Sequence, residues 1–341
     1  MTDCIVVGGG LIGMLTARFL AEAGAEVTLL EQGVLGHEAS WAGGGILSPL
    51  YPWRYPDPVN RLAAYSQPLY PDLAQRLFEE TGIDPEWTPS GLLVLDREDE
   101  QAARAWAERY QARIEQLDDA ALHSDEPALK ADFATGMLFP EVAQIRNPRL
   151  VKSLAASLPP LGINIREQCQ VESLDIRDGR IQAVRTAGEH LSAANVLVAG
   201  GAWSGGLFPA FRSAPDIRPV RHYLIPRRDG RILAGSTLEE VGFDKHTTES
   251  ARQELTAIAF DLAPGLEQFP IEKQWSGLRP GSPQGIPYIG EHPEIQGLYL
   301  NAGHYRNGVV MGLASAELAA SQILRRPPPL DPRPFGLDAA Q

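Results

Sequence analysis

The stretch Cys4-Ile5-Val6-Val7-Gly8-Gly9-Gly10-Leu11-Ile12-Gly13 carries an apolar strand into a glycine turn. Beyond it, Leu11, Leu15, Phe19 and Leu20 recur at helical spacing as far as Ala23, and Gly24 ends that helix. Residues 26–31 read as a second strand. Each glycine of the G-x-G-x-x-G pattern has a physical task. Gly8 supplies the tight turn, Gly10 lets the main chain approach a pyrophosphate, and Gly13 lets the helix lie close on the strand. The first helical residues, Leu11 and Ile12, then present free N–H groups and a partial positive charge to phosphates. Glu31 stands 18 residues beyond Gly13, with Gln32 beside it. A carboxylate there accepts ribose hydroxyls and disfavours a 2′-phosphate. The segment predicts a Rossmann-like unit that binds a dinucleotide, and by itself leaves NAD and FAD open.

At 341 residues the chain exceeds what one hydrophobic core usually holds, so two domains are expected. With 44 % apolar and 21 % charged residues it has the composition of a soluble globular protein. A net charge of −13 disfavours nucleic acid and anionic membrane surfaces as partners. The apolar run 5–15 is interrupted by four glycines, and a bilayer span needs about 20 apolar residues. No basic stretch or cleavage site precedes the first strand, so no secretory signal is expected. Cys4 and Cys169 show no metal-binding spacing, and so few cysteines fit a reducing, cytoplasmic setting without disulfides. After Arg325-Arg326-Pro327-Pro328-Pro329 an extended or disordered end is expected.

Helices are expected over 59–80, 99–114, 150–158, 249–260 and 309–324. Strands are expected over 91–95, 136–139, 163–166, 171–177, 180–186, 195–199, 220–226, 232–235 and 298–301. Asp178-Gly179 marks a hairpin, and Asp229-Gly230 a further turn. Leu50-Tyr51-Pro52-Trp53-Arg54-Tyr55-Pro56 cannot be a regular helix. It reads either as a lid that excludes water or as packing between domains.

Three later segments extend the nucleotide site. Ala39-Ser40-Trp41-Ala42-Gly43-Gly44-Gly45 offers a flat main chain to a ring system, on the way to a short helix. Residues 196–204 carry a buried strand into a turn at Gly200. Gly303-His304-Tyr305-Arg306-Asn307-Gly308 precedes the last long helix. A helix N-terminus opening near Gly308 would stabilise the negative charge of a reduced flavin near N1 and O2. Together the four segments narrow the cofactor to FAD.

These residues resemble the D-amino-acid oxidase superfamily of flavoproteins, and within it the glycine-oxidase branch of the thiamine pathway. The likeness covers nearly the whole chain. It is carried by 5–13, 39–47, His222-Tyr223-Leu224-Ile225-Pro226-Arg227, Gly235-Ser236-Thr237, Gly277-Leu278-Arg279-Pro280 and 303–308. The resemblance implies a mixed α/β and α+β fold. A Rossmann-like FAD-binding domain (1–48, 143–215 and 285–341) would hold an inserted substrate domain (49–142 and 216–284) with a large antiparallel sheet. It implies non-covalent FAD, since no cysteine follows Cys169. The adenine side would touch Glu31 and Val171. Ala39, Ser40, Gly44, Gly45 and Ile46 would line the pyrophosphate and flavin. His304, Tyr305, Arg306, Asn307, Gly308, Val309 and Val310 would wrap the other side of the ring. Arg279 would hold a substrate carboxylate, with Tyr223 as a hydrogen-bond donor and Arg306 close by. Ile46 and Leu238 stand near the substrate, where family members often carry methionine, so the pocket shape departs from the pattern there. The family is often tetrameric, so a homo-oligomer is expected.

The chemistry of the side chains agrees with these roles. Arg279 is followed by proline, which stiffens its main chain, and its planar fork matches a carboxylate bidentately. Tyr223 joins an apolar body to a polar tip. His222 and His304 are read as structural, because an amino acid bound with a neutral amine can pass its Cα hydride to flavin N5 without a protein base. The expected activity is oxidative deamination of glycine, sarcosine and small D-amino acids, with dioxygen reduced to hydrogen peroxide. Two other readings stay open. One is a dehydrogenase of the same fold that passes electrons to a quinone or other carrier. The other is a flavin protein acting on a macromolecule such as tRNA, which the net charge disfavours.

Overall fold

The computed structural model of the chain describes residues 2–95, 98–208 and 222–339. Its centre is an eight-stranded sheet. Strand Thr2–Val7 lies between Val27–Leu30 and Glu189–Val198 and runs parallel to both. Asn164–Arg166 extends the parallel set on one side, and Ile295–Ala302 joins the carboxyl half of Glu189–Val198 on the other. Tyr288–His292 closes that edge antiparallel. Val171–Arg177 and Arg180–Thr186 form the expected hairpin, whose second strand pairs antiparallel with the amino half of Glu189–Val198.

The first strand reads as a continuous apolar run because both of its faces are covered. Cys4 and Val6 turn toward a helical core that also takes Leu15, Leu29 and Leu318. Ile5 and Val7 turn to the opposite side, against Val184, Val196 and Leu300. Helix Leu11–Glu22 packs on helix Gly312–Ile323. Helices Asp57–Ser66 and Tyr70–Thr81 bury Val59, Leu62, Tyr70 and Leu73 in that same core.

Several elements differ from expectation for local reasons. The helix expected over 59–80 is two helices, because Pro68 and Pro71 lack the N–H that a continuous ladder needs. The helix expected over 99–114 spans Glu100–Tyr110 and ends where Gln111 turns left-handed, with φ 54°. Strand Glu115–Leu117, helix Asp119–Asp125 and strand Tyr288–His292 carried no sequence signal strong enough to name them. The strand expected over 220–226 is described from Tyr223; residues 220 and 221, like the boundary at 215–216, lie outside the described residues. Antiparallel pairing beyond the main sheet consists, among the described residues, of two small sheets and isolated bridges from Gln144 to Ile46 and Thr88. One joins Leu92–Val94, Gly136–Phe139 and Glu115–Leu117; the other joins Tyr223–Pro226 to Ile232–Gly235. Residues 270–287 add no strand to a larger sheet. Pro270, Pro280, Pro283 and Pro287 interrupt their ladder donors. The chain after the proline run packs back on the protein among the described residues: Phe335 is 1 % exposed and plugs into the main core. Cys4 and Cys169 are free thiols. Among the described residues no helix is long and apolar enough to cross a membrane, and no group of His, Cys, Asp and Glu could hold a metal ion.

Candidate active site

The parallel register brings four strand ends to one place. Val7 lies beside Leu30 and Val198, and Leu300 beside Val198. Ligands of open α/β sheets bind outside such carboxyl ends. Gly8, Glu31, Gly200 and His304 follow those strands and line a cavity of about 1970 Å³. Leu11, Ile12, Gln32, Ala39, Ser40 and Val171 line it as well.

The nucleotide end is shaped by what cannot fit. Gly8 has φ 109°, and a Cβ there would stand 2.5 Å from the Ala199 carbonyl oxygen. A Cβ on Gly13 would overlap the carbonyl oxygen of Gly8, so the helix reaches the turn only because that position is glycine. Gly10 is unstrained, and a Cβ there would meet Ser40 Oγ at 3.1 Å. Glu31 accepts the N–H of Gly9 and of Gly33, each at 2.7 Å. A carboxylate offers about four acceptor sites, so Glu31 keeps capacity toward the cavity. The Leu11 N–H donates to Ser40 Oγ at 2.8 Å, which takes up one donor of the helix start.

The opposite wall is the segment from Gly303 to Val310. Burial holds His304 neutral, with its pKa near 3, and its Nε2 has no partner among the described residues. Tyr305 is left-handed, with φ 49°, and donates its N–H to the Pro280 carbonyl at 2.8 Å. Ser282 Oγ donates to the Gly303 carbonyl at 3.2 Å. The last helix starts at Gly312, not at 309. One of its first N–H groups, that of Ala314, donates to Ser66 Oγ at 2.9 Å. The donors left for a flavin therefore belong to the preceding turn: among the described residues nothing accepts from the N–H of Gly308, Val309 or Val310. Tyr70, fully buried, donates its hydroxyl to the Val309 carbonyl and holds that turn. A turn closed to a Cβ at Gly8 and Gly13, a carboxylate with spare acceptors and a row of unpaired N–H groups together fit FAD.

Arg279 and Arg306 line the same cavity, with Tyr223 and Leu238. Among the described residues no carboxylate pairs with either guanidinium. Arg279 donates to Ser236 Oγ at 2.9 Å. Desolvation pulls its pKa below the ordinary value; nearby Tyr223 opposes this and Arg306 adds to it. An arginine nonetheless stays charged. Its segment is strapped on two sides. Trp275 Nε1 donates to the Ala42 carbonyl at 3.0 Å, and the Tyr305 bond to Pro280 holds the far end. The Tyr223 ring lies between two glycines. A Cβ on Gly44 would stand 3.1 Å from its hydroxyl, and one on Gly235 2.5 Å from ring carbon Cζ.

Other expected residues stand behind this lining. Gly45, with φ 81°, presses on Ile145 so closely that a Cβ would overlap the carbonyl oxygen. Ile46 pairs with Gln144 in an antiparallel bridge and packs toward the three-stranded sheet. Asn307 and Val310 are buried. His222 lies 3.6 Å from Glu254, and its pKa is lowered by desolvation, with Glu254 opposing and Arg306 adding. In the aromatic segment, Trp53 stacks on Phe139 at 5.9 Å and donates Nε1 to Asp99 at 2.9 Å, which is packing against the small sheet. Tyr55, at its end, lies near enough to Arg279 to act on its charge. Ser236, Gly235 and Ser66 were given no role in the sequence reading. Gly235-Ser236 was visible as part of a motif; the Ser66 cap had no local signal, because its partner is 248 residues away.

The model of one family, described as FAD dependent oxidoreductase, matches residues 3–322. The chain belongs to the FAD-dependent oxidoreductase family. Within it, the chain falls in the D-amino-acid oxidase superfamily, as the motifs implied. The family member glycine oxidase of Pseudomonas putida is 45 % identical over 353 residues, covering 97 % of each chain. The crystal structure of glycine oxidase from Geobacillus kaustophilus superposes with a TM-score of 0.91 at 29 % identity and covers 98 % of both chains. A bifunctional protein ThiO/ThiG of Trichormus variabilis is 30 % identical over 95 % of this chain, which matches 53 % of that longer protein.

Proposed function

We propose that this enzyme catalyses the oxidative deamination of glycine, sarcosine and small D-amino acids, using non-covalently bound FAD and dioxygen. The observation that carries the reading is the pair Arg279 and Arg306, two guanidiniums without a carboxylate partner among the described residues, beside Tyr223 in the cavity that holds the FAD cradle. FAD, when bound, supplies the hydride acceptor at N5 and returns the electron pair to dioxygen as hydrogen peroxide. Gly8, Gly10, Gly13, Glu31, Ser40 and the N–H groups of Gly308 and Val309 would hold it.

The chain's own contribution is binding and orientation. Arg279 takes the substrate carboxylate bidentately, with Ser236 Oγ steering one of its N–H groups. Tyr223 donates its hydroxyl to the same carboxylate, and Arg306 adds a second positive charge. In a desolvated corner, truncating one partner of such a contact costs about 2–5 kcal/mol. Neutral His304 donates no proton to the amine and adds no competing charge. The division into a discontinuous FAD-binding part and an inserted substrate part belongs to the same reading. The likeness to glycine oxidases and to a ThiO/ThiG protein supports a role for the imine product in thiazole formation for thiamine synthesis.

An absorbance scan of the purified protein followed by an anaerobic glycine titration tests this. The expected result is a flavin spectrum bleached by glycine and restored by air, with peroxide formed. A colourless protein would remove FAD from the account. A yellow protein untouched by glycine, sarcosine and small D-amino acids would remove the substrate class. Bleaching that air does not reverse would favour a dehydrogenase with another acceptor.

A further inference from the structure

Strand Tyr223–Pro226 runs directly into Arg227. Side chains two apart share a face of a strand, so Tyr223, Ile225 and Arg227 point the same way. All three meet Gly44. A Cβ there would stand 3.1 Å from both the Tyr223 hydroxyl and Ile225 Cδ1. Arg227 Nη2 donates to the Gly44 carbonyl at 2.5 Å, while Nη1 donates to Gln144 Oε1 at 2.7 Å and more weakly to the Ile145 carbonyl at 3.4 Å. Gln144 returns the contact, donating Nε2 to the Pro226 carbonyl at 3.0 Å. The Ile145 N–H donates to the Gly45 carbonyl at 2.8 Å, which closes the ring of bonds.

Arg227 is half-buried and, among the described residues, makes no ion pair; the acids in its neighbourhood, Glu86 and Asp229, are taken by Arg146 at 3.1 and 2.8 Å. Desolvation, with the charge of Arg146, pulls its pKa below the ordinary value. A guanidinium kept in such a place and spent on carbonyl oxygens is holding main chain. The chain it holds is one wall of the slot that takes the Tyr223 ring, the other being Gly235.

We propose that Arg227 is a positioning residue for the carboxylate corner: by fixing the Gly44 carbonyl it sets the wall against which the Tyr223 hydroxyl is placed. This rests on the reading of Tyr223 as a donor to the substrate carboxylate. Contacting residues that act together are non-additive, whereas a general loss of structure adds independently.

The test is a double-mutant cycle of Arg227→Met and Tyr223→Phe on FAD-loaded protein. Acetate binding is measured by calorimetry, and KM and kcat are measured with glycine. The expected result is that Arg227→Met raises the acetate Kd and the glycine KM about tenfold in the native background and about twofold or less beside Tyr223→Phe. Arg227→Lys, which keeps one donor for Gly44, should recover part of the loss; it replaces Arg227→Met in the cycle if that variant does not fold. Equal shifts in both backgrounds would overturn the positioning role. Coupled acetate binding in a protein that does not oxidise glycine would uphold it and overturn the substrate reading instead. Acetate and glycine parameters unmoved by Tyr223→Phe would overturn both.

Discussion

The glycine turn at Gly8–Gly13 and the arginine corner around Arg279 face one cavity but are built by opposite means. The turn is made of main chain and of missing side chains: Gly8 and Gly13 have no room for a Cβ, and Glu31 is tied back to the N–H groups of Gly9 and Gly33. Its parts lie within one strand, one helix and the end of the next strand. The corner is made of charge. Arg279, Arg306 and Tyr223 come from three distant segments, and straps from Trp275, Tyr305 and Arg227 hold their surroundings. Close approach of a backbone needs shape and is specified locally. An unpaired, partly desolvated guanidinium is costly to keep, and it persists here beside a cavity that a carboxylate could enter.

If the two regions are separable in this way, substitutions should separate them. The largest effect is expected at Arg279. Arg279→Met should raise the KM for glycine on the order of 10²–10³-fold, since a desolvated charge contact is lost, while the flavin spectrum of the purified protein stays unchanged. Loss of FAD from this variant would break the distinction. Gly13→Ala should do the reverse. Overlap with the Gly8 carbonyl should destabilise the fold by about 1–3 kcal/mol and weaken FAD retention, measured by fluorescence of released FAD. Saturating FAD should then restore turnover with a nearly native KM. A KM that stays high would show that the turn and the corner are mechanically one.

His304, between the two regions, gives a prediction in pH. Its folded pKa lies near 3, against 6.5 for the free side chain. The unfolded chain therefore binds the extra proton between these values. The stability due to the neutral ring is complete above pH 6.5 and is lost as pH falls toward 3, with a slope of up to about 1.4 kcal/mol per pH unit. Denaturant midpoints from pH 7 to pH 5 should fall less steeply for His304→Asn than for the native protein; identical slopes would rule out the buried neutral ring. The smallest effect is expected at Ser66→Ala, which leaves the Ala314 N–H without its acceptor. It should lower stability by about 1 kcal/mol and leave the glycine KM untouched, because the last helix supports the flavin turn from behind.

What could be read ahead of the structure follows the same division. The first strand, turn and helix were legible because glycine spacing and helical periodicity are local. The hairpin at Asp178-Gly179 was legible because its turn chemistry is written in two residues. The break at Pro68, the left-handed stop at Gln111 and the Gly312 start of the last helix moved boundaries that periodicity alone places loosely. Glu189–Ala194 was not read as strand because it mixes polar residues with alanines and lacks β-branched side chains; its pairing with Arg180–Thr186 makes it one. The tail was expected to be loose after its proline run, and Phe335 is held instead by a core that residues from every quarter of the chain assemble.

By itself, then, the sequence determined the nucleotide-binding strand–turn–helix, the acid at Glu31 and the residue types able to hold a carboxylate, since each rests on short-range spacing or on the chemistry of one side chain. Tertiary structure decided the rest. It capped the last helix with Ser66, moved the free N–H groups into the turn before it, set Ile46 behind the wall, and placed Tyr223 between Gly44 and Gly235 with Arg227 bracing one side. Those outcomes depend on which distant segments the sheet brings together, and no periodicity along the chain records them.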